Sequence, residues 1–222
     1  MKLIYENSLC GLDVLSDWIK EGNIAIEESS DGVILSNLDD EKLGDYAHWT
    51  IWIPDIFPKN VQIEWDFKPL REPGLCMVFF AAKGRNGESI FSSKLAKRSG
   101  YYPEYHSGDI DAYHISYFRH KYESERRFRT CNLRKSYGFH FVTQGADPLP
   151  PIEDVRGVYH LKVVKMEQNI SFFIDDLKIL EWYDDGLEFG AALTDGYIGF
   201  RQMAPMKAQY SHLKIWDLDS ER

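Results

Sequence analysis

Residues 101–141 gather side chains that can move protons and hold carboxylates. His114, His140 and Tyr117 are the candidate acid–base groups, since imidazole and phenol can both take and return a proton. Arg119, Asn132 and Arg134 are candidate ligand-binding residues, because a guanidinium fork or an amide can neutralise or hydrogen-bond a carboxylate. Ser116, Tyr105 and His106 extend the same set with hydroxyl and ring contacts. The segment holds 11 of the 32 aromatic residues, 7 of the 13 tyrosines and 4 of the 7 histidines. Sugar rings pack their C–H faces on aromatic rings and need many hydrogen-bond partners, and Tyr and His supply both. The inventory therefore suits two chemistries. One is a lyase that neutralises a uronate carboxylate, removes its α-proton and protonates the leaving oxygen. The other is lectin-like binding with no bond broken.

Hydrolysis has weaker support. A glycosidase needs two carboxyl groups flanking the bond. Glu64 and Asp66 in IEWDF share a strand face, and Asp109 and Asp111 in GDID could do the same. Trp65 and Phe67 beside the first pair read as core, and the second pair reads as turn-fixing. No His-x-His, HExxH or Gly-rich phosphate loop occurs. No metal or cofactor is expected, although the acids of HSGDID or YDDG are of the kind that holds a structural Ca²⁺.

The stretch that must position these groups is GDIDAYHISYFRHKY, residues 108–122. Its composition is that of a strand, but neither parity is plainly apolar. Tyr113, Ile115 and Tyr117 could bury as a row, which turns His114 and Ser116 toward a ligand, near His140. The opposite assignment exposes Tyr113, Tyr117 and Arg119. The first is preferred, and Arg119 at the strand end reaches ligand under either. Asn132, Arg134 and Lys135 in CNLRK precede the strand YGFHFVTQG and are expected at a groove rim.

The other elements are short strands between turns. HWTIWI, VQIEWDFKPL and LCMVFFAAKG are separated by Pro- and Gly-bearing turns. An irregular stretch over 84–108 follows, with one helical turn expected in SSKLAKR. Later strands bend at Glu167–Asn169 and at Asp175–Asp176, and the last strand should set Leu213 and Ile215 on one face and Tyr210, His212, Lys214 and Trp216 on the other. Many short strands and almost no helical periodicity predict an all-β sandwich or barrel, one domain over residues 1–222.

The net charge is −9, which argues against a nucleic-acid partner. Residues 83–135 nevertheless hold 12 Lys and Arg against 6 Asp and Glu. Such a basic island suits an anionic ligand, or else a solvated loop surface. No apolar run is long enough to span a membrane. The opening MKLIYENSLCGLD lacks a secretory pattern. Three scattered cysteines suggest neither a disulfide framework nor a zinc site, so a reduced, cytoplasmic protein is expected.

YHLKVVKMEQNISFFIDDLKILEW followed by DGYIGFRQMAPMKAQYSHLKIWDL resembles the closing strands of the concanavalin A-like jelly roll. SDWIKEGNIAIEESSDGVILSNL resembles its opening. YHSGDIDAYHISYFR and CNLRKSYGFHFVTQGADPLP resemble the bacterial YesU-like group of galectin-like proteins. The resemblance implies two antiparallel sheets in a jelly-roll β-sandwich, with ligand in the concave groove. It also implies a plant-cell-wall context, of the pectin or rhamnogalacturonan type, and an anionic oligosaccharide partner. It supplies no catalytic residues. Enzyme and lectin readings stay open, as does a structural or assembly module with a plugged groove, and the oligomeric state is open too.

Overall fold

Val61, Ile63, Trp65 and Phe67 alternate with Gln62, Glu64, Asp66 and Lys68, and the chain there is a strand with the first set buried and the second partly exposed. The same period-2 logic builds most of the molecule. The computed structural model describes residues 1–219. In chain order the strands are β1 (Lys2–Asn7), β2 (Ile19–Glu21), β3 (Ile24–Ser29), β4 (Gly32–Asn37) and β5 (Trp49–Trp52). Next come β6 (Val61–Arg71), β7 (Leu75–Gly84), β8 (Ile110–Tyr117), β9 (Thr130–Ser136) and β10 (His140–Ala146). The last five are β11 (Tyr159–Met166), β12 (Asn169–Ile174), β13 (Leu177–Tyr183), β14 (Tyr197–Met203) and β15 (Lys207–Asp217). Two short helices, α1 (Pro103–His106) and α2 (Glu123–Phe128), lie between strands.

The strands form two antiparallel sheets, as the jelly-roll expectation requires. One runs β13-β12-β11-β6-β15-β4-β3, with β1 also on β15; the other runs β10-β9-β8-β7-β14-β5-β2. The main core fills the space between them. Trp65, Phe67 and Phe172 from the first sheet meet Phe80, Tyr117 and Phe200 from the second. Fully burying one such side chain is worth about 1.5–3 kcal/mol.

The hairpin turns fall where the sequence places them. β11–β12 and β12–β13 turn at Glu167 and Asp175, both in the left-handed region with φ of 52° and 51°. Two-residue hairpin loops demand that region. Three expectations need correction. SSKLAKR forms turns, and the helices are instead PEYH in α1 and ESERRF in α2. CNLRK, expected only to precede a strand, is itself part of strand β9. The last strand does not alternate evenly, because its register shifts between Ser211 and Lys214, with His212 at φ 52°. That bulge returns Tyr210 to the core side with Leu213 and Ile215.

β7 is buried on both faces. Cys76, Val78 and Phe80 point into the main core, while Leu75, Met77, Phe79 and Ala82 join a second apolar cluster on the outer face of the seven-stranded sheet. Ile90 and Tyr105 complete that cluster, with Phe91, Leu95 and Tyr102 packed against it. The irregular stretch after β7 therefore lies over the sheet as a cover.

Candidate functional site

Beside this cover the outer face of the seven-stranded sheet stays open, in a pocket of about 240 Å³. Leu75, Met77 and Met203 make an apolar floor. Ser116, Asn132 and Arg134 come from β8 and β9, and Arg119, Tyr122 and Glu125 from the segment that follows β8 through α2. Tyr102, Phe139 and Asp45 close the wall. An apolar floor with a few polar groups at its rim is the usual form of a small-ligand site.

Four predicted ligand residues thus meet in one pocket: Ser116, Arg119, Asn132 and Arg134. They meet because β8 and β9 are neighbours, with His114 opposite Arg134 and Ser116 opposite Asn132. Cross-strand partners point to one face, so His114, Ser116, Asn132 and Arg134 all look outward. The parity preferred from sequence is the one the fold adopts: Tyr113, Ile115 and Tyr117 are in the main core.

The expected acid–base groups do not converge there. Tyr117 is buried between the sheets, its ring 5.2 Å from Phe67 and 5.8 Å from Trp65. A catalytic role does not fit that position, because no ligand reaches a ring enclosed on both sides by the core. His140 lies opposite Lys135 in the β9–β10 ladder, which is the other face of the sheet, and stacks on Phe189 at 4.5 Å. His114 points the expected way but is fully buried, because Tyr102 and Phe139 cover it. Its Nε2 shares a proton with the Tyr102 hydroxyl at 2.9 Å. Tyr105 is buried in the outer-face cluster, its hydroxyl accepting from Gly100 N–H. His106 is half-buried against Phe139 at 4.0 Å and does not line the pocket. Lys135, expected at the rim, points inward and pairs with Asp184 at 2.7 Å.

The carboxylate pairs are engaged elsewhere. Asp66 accepts from His160 and His212, each at 2.9 Å, on the outer face of the other sheet, and Gln62 donates to Glu64. Asp109 accepts from Ala96 N–H, and Asp111 from Tyr137 N–H.

The two pocket arginines differ in one respect. Arg119 donates to Thr130 Oγ1 at 2.8 Å and pairs with Glu125 at 2.8 Å. Glu125 also accepts from the N–H groups of Lys121 and Tyr122, which caps α2. With the Asn132 amide oxygen turned toward Arg119, it accepts from Nη1 at 3.1 Å. Among the described residues Arg134 donates only to the Phe139 carbonyl, at 3.1 Å, and its guanidinium lies 4.0 Å above the Phe139 ring. Among the described residues it makes no ion pair. Burial holds its pKa below the usual arginine value.

Burial also keeps nearby imidazoles neutral. The His114 pKa lies well below 6.5, first through burial and then through the Arg134 charge. His106 is lowered to about 4 by the same causes. His48, buried beside the pocket's Asp45, is lowered to about 3 by burial and then by Arg201 and Lys121. These folded-state values lie below the unfolded one. The stability they contribute is therefore present above about pH 6.5 and is lost as pH falls toward about 4 and about 3. Urea titrations should show the unfolding free energy falling by as much as about 1.4 kcal/mol per pH unit per histidine in that window. His48→Gln should flatten part of the slope, since glutamine takes up no proton. An unchanged slope would contradict the assignment.

Tyr102 and Phe139 were not legible as pocket residues. Both lie in turns, and a turn aromatic gives no periodic signal. Their roles separate on mutation. Tyr102→Phe leaves the ring in the pocket wall and strips His114 Nε2 of its partner. Stability should fall by about 1–3 kcal/mol, the penalty for a buried unsatisfied polar group, while ligand affinity holds. A urea midpoint unchanged from wild type would contradict this.

The comparisons agree with the geometry at the level of fold. The family described as "Domain of unknown function (DUF1961)" matches residues 2–215. The chain is 51% identical over 212 residues to "Uncharacterized protein YesU" of Bacillus subtilis (strain 168), covering 96% of this chain and 94% of that protein. A Bacillus subtilis crystal structure with a galectin-like fold superposes with a TM-score of 0.93 at 49% identity, covering 97% of this chain and 96% of the other. Two remoter structures share the fold alone. A β-1,3-1,4-glucanase (lichenase) derived from a mouse hindgut metagenome has a TM-score of 0.61 at 12% identity, over 97% of this chain and 99% of that one. Carbohydrate binding module CBM66 from Bacillus subtilis has 0.55 at 13%, over 90% and 95%.

Proposed function

From the premise that the chain belongs to the DUF1961 family, in a galectin-like fold shared with glucanases and carbohydrate-binding modules, we propose that it binds uronate-containing oligosaccharides of the plant cell wall in the Arg134 pocket. The observation that carries this reading is Arg134 itself, a half-buried guanidinium with no carboxylate partner among the described residues. Its planar fork matches a sugar carboxylate, and Tyr102 and Phe139 put aromatic carbon in the pocket wall, where a sugar's C–H groups can pack. Asn132 and Ser116 add polar side chains to the same lining.

Binding without cleavage is favoured over a lyase or a hydrolase. The proton-transfer groups that a lyase would need are enclosed or face elsewhere: His114 under Tyr102, Tyr117 in the core, His140 behind the sheet. The pocket's carboxylates are also occupied, Glu125 by Arg119 and two backbone N–H groups, and Asp45 by His48 at 3.2 Å. No cofactor enters the proposal. No helix among the described residues is long and apolar enough to cross a membrane, and all three cysteines are free, which suits a reduced cytoplasmic setting.

Thermal denaturation against galacturonate-containing and neutral oligosaccharides tests the reading. Acidic ligands should raise the Tm, neutral ones of the same length should not, and neither unsaturated uronate absorbance nor new reducing ends should appear. A panel of acidic oligosaccharides that leaves the Tm unmoved would overturn it.

A further inference from the structure

The turn that ends β9 and starts β10 has a second side. Phe139, under Arg134, faces the pocket described above. Tyr137, two residues earlier, faces a separate cavity of about 430 Å³ at the end of the sandwich. The two sides repeat one arrangement. The Arg85 guanidinium lies 4.0 Å from the centre of the Tyr137 ring, as Arg134 does over Phe139. Gly138 between them has φ 109°, and a Cβ there would come 2.3 Å from His140 Nε2, so the turn accepts only glycine without rearranging.

The charges of this cavity are as specific as those of the first. Lys83 is neutralised by Asp195 at 2.7 Å, and Lys135 by Asp184 at 2.7 Å. Arg85 is exposed and makes no ion pair among the described residues; only its backbone N–H is bonded, to the Asp109 carbonyl at 3.1 Å. Asp111 Oδ1 accepts from Tyr137 N–H at 3.0 Å, and its other oxygen has no donor among the described residues. An uncompensated guanidinium against an aromatic plate, with a carboxylate oxygen still able to accept, offers contacts to the carboxylate, C–H face and hydroxyl of a uronate residue.

We propose that this cavity is a second uronate subsite, so that one anionic oligosaccharide crosses the Tyr137–Phe139 turn and presents carboxylates to Arg134 and Arg85 together. The Cα atoms of Tyr137 and Phe139 lie within ~7 Å of each other, and their side chains turn to separate cavities, so a ligand longer than a dimer is needed to reach both arginines. The inference rests on the binding function proposed for the Arg134 pocket and makes the protein selective for ligand length.

Isothermal titration of the full chain with galacturonate oligomers of increasing length tests it. Wild-type affinity should rise on the order of tenfold from dimer to tetramer, one charge-assisted contact more. Arg85→Ala should leave the dimer unchanged and remove the rise, and Tyr137→Ala should do the same. Both side chains are exposed, so both variants should keep the wild-type Tm without ligand. If Arg85→Ala and Tyr137→Ala match wild type at every length while Arg134→Ala loses binding, the second subsite is overturned and the first pocket stands. If wild type binds no acidic oligomer, both are overturned.

Discussion

Arg134→Ala is expected to weaken binding of a uronate oligosaccharide by about 10- to 100-fold, the loss of a hydrogen bond to a charged group worth about 1.5–3 kcal/mol. The size follows from where Arg134 sits. It is half-buried, so its attraction for a carboxylate is less screened than at an open surface. It makes no ion pair among the described residues, so a ligand carboxylate displaces no internal carboxylate. Its stacking on Phe139 at 4.0 Å fixes the plane of the fork before ligand arrives. Arg134→Lys should recover only part of the affinity, because an ammonium keeps the charge but loses the bidentate geometry. Arg119→Lys is the informative contrast. That guanidinium is already neutralised by Glu125 at 2.8 Å, so the change should move stability more than affinity. Equal loss of affinity from both positions, or none from Arg134→Ala, would contradict the argument.

Asp184→Ala carries the largest expected effect on stability, about 3–5 kcal/mol, the penalty for leaving one member of a buried ion pair alone. Asp184 and Lys135 are each 2% exposed and 2.7 Å apart. Asp184 also accepts from the Tyr113 hydroxyl at 2.5 Å and from Gly186 N–H at 3.0 Å. Among the described residues Lys135 has one further acceptor, the Gly190 carbonyl at 2.7 Å. Removing the carboxylate leaves an ammonium with that single bond inside the sandwich. Asp184→Asn should cost less, since the amide oxygen can still accept from Tyr113. Asp184→Ala with Lys135→Met should recover much of the loss, because the stranded charge is gone. Urea unfolding reads all three through the midpoint at constant slope. A midpoint for Asp184→Ala near that of wild type would show that the pair does not hold the loop before β14 to the sheet.

The fold was legible wherever one face of a strand is buried and the other is wet. β6 is the plainest case, with Ile63, Trp65 and Phe67 inward and Glu64 and Asp66 outward. It was least legible on β8. There both faces are covered, the inner by the core and the outer by Tyr102, Tyr105 and Phe139. A strand buried twice shows no alternation, and a polar residue such as His114 is admitted where a neighbour bonds it, here the Tyr102 hydroxyl on Nε2. The parity of β8 could still be read, since Tyr113, Ile115 and Tyr117 form the bulkier row. Ser116 followed from that parity, whereas Asn132 and Arg134 share its face through the β8–β9 pairing, which no periodic signal in CNLRK reveals. His140 did not, because reading its strand from residue 137 gave no sight of the turn that sets its face. The cover was illegible in sequence because Ile90, Leu95 and Tyr105 are spaced by turns and not by a period.

A crystal structure of the chain with a short galacturonate oligomer would show where a uronate seats. A sugar carboxylate should lie within hydrogen-bond distance of the Arg134 guanidinium, with the sugar ring against Phe139 or Tyr102 and the glycosidic bonds intact. Ligand seated away from Arg134, or with its carboxylates turned to solvent, would contradict it.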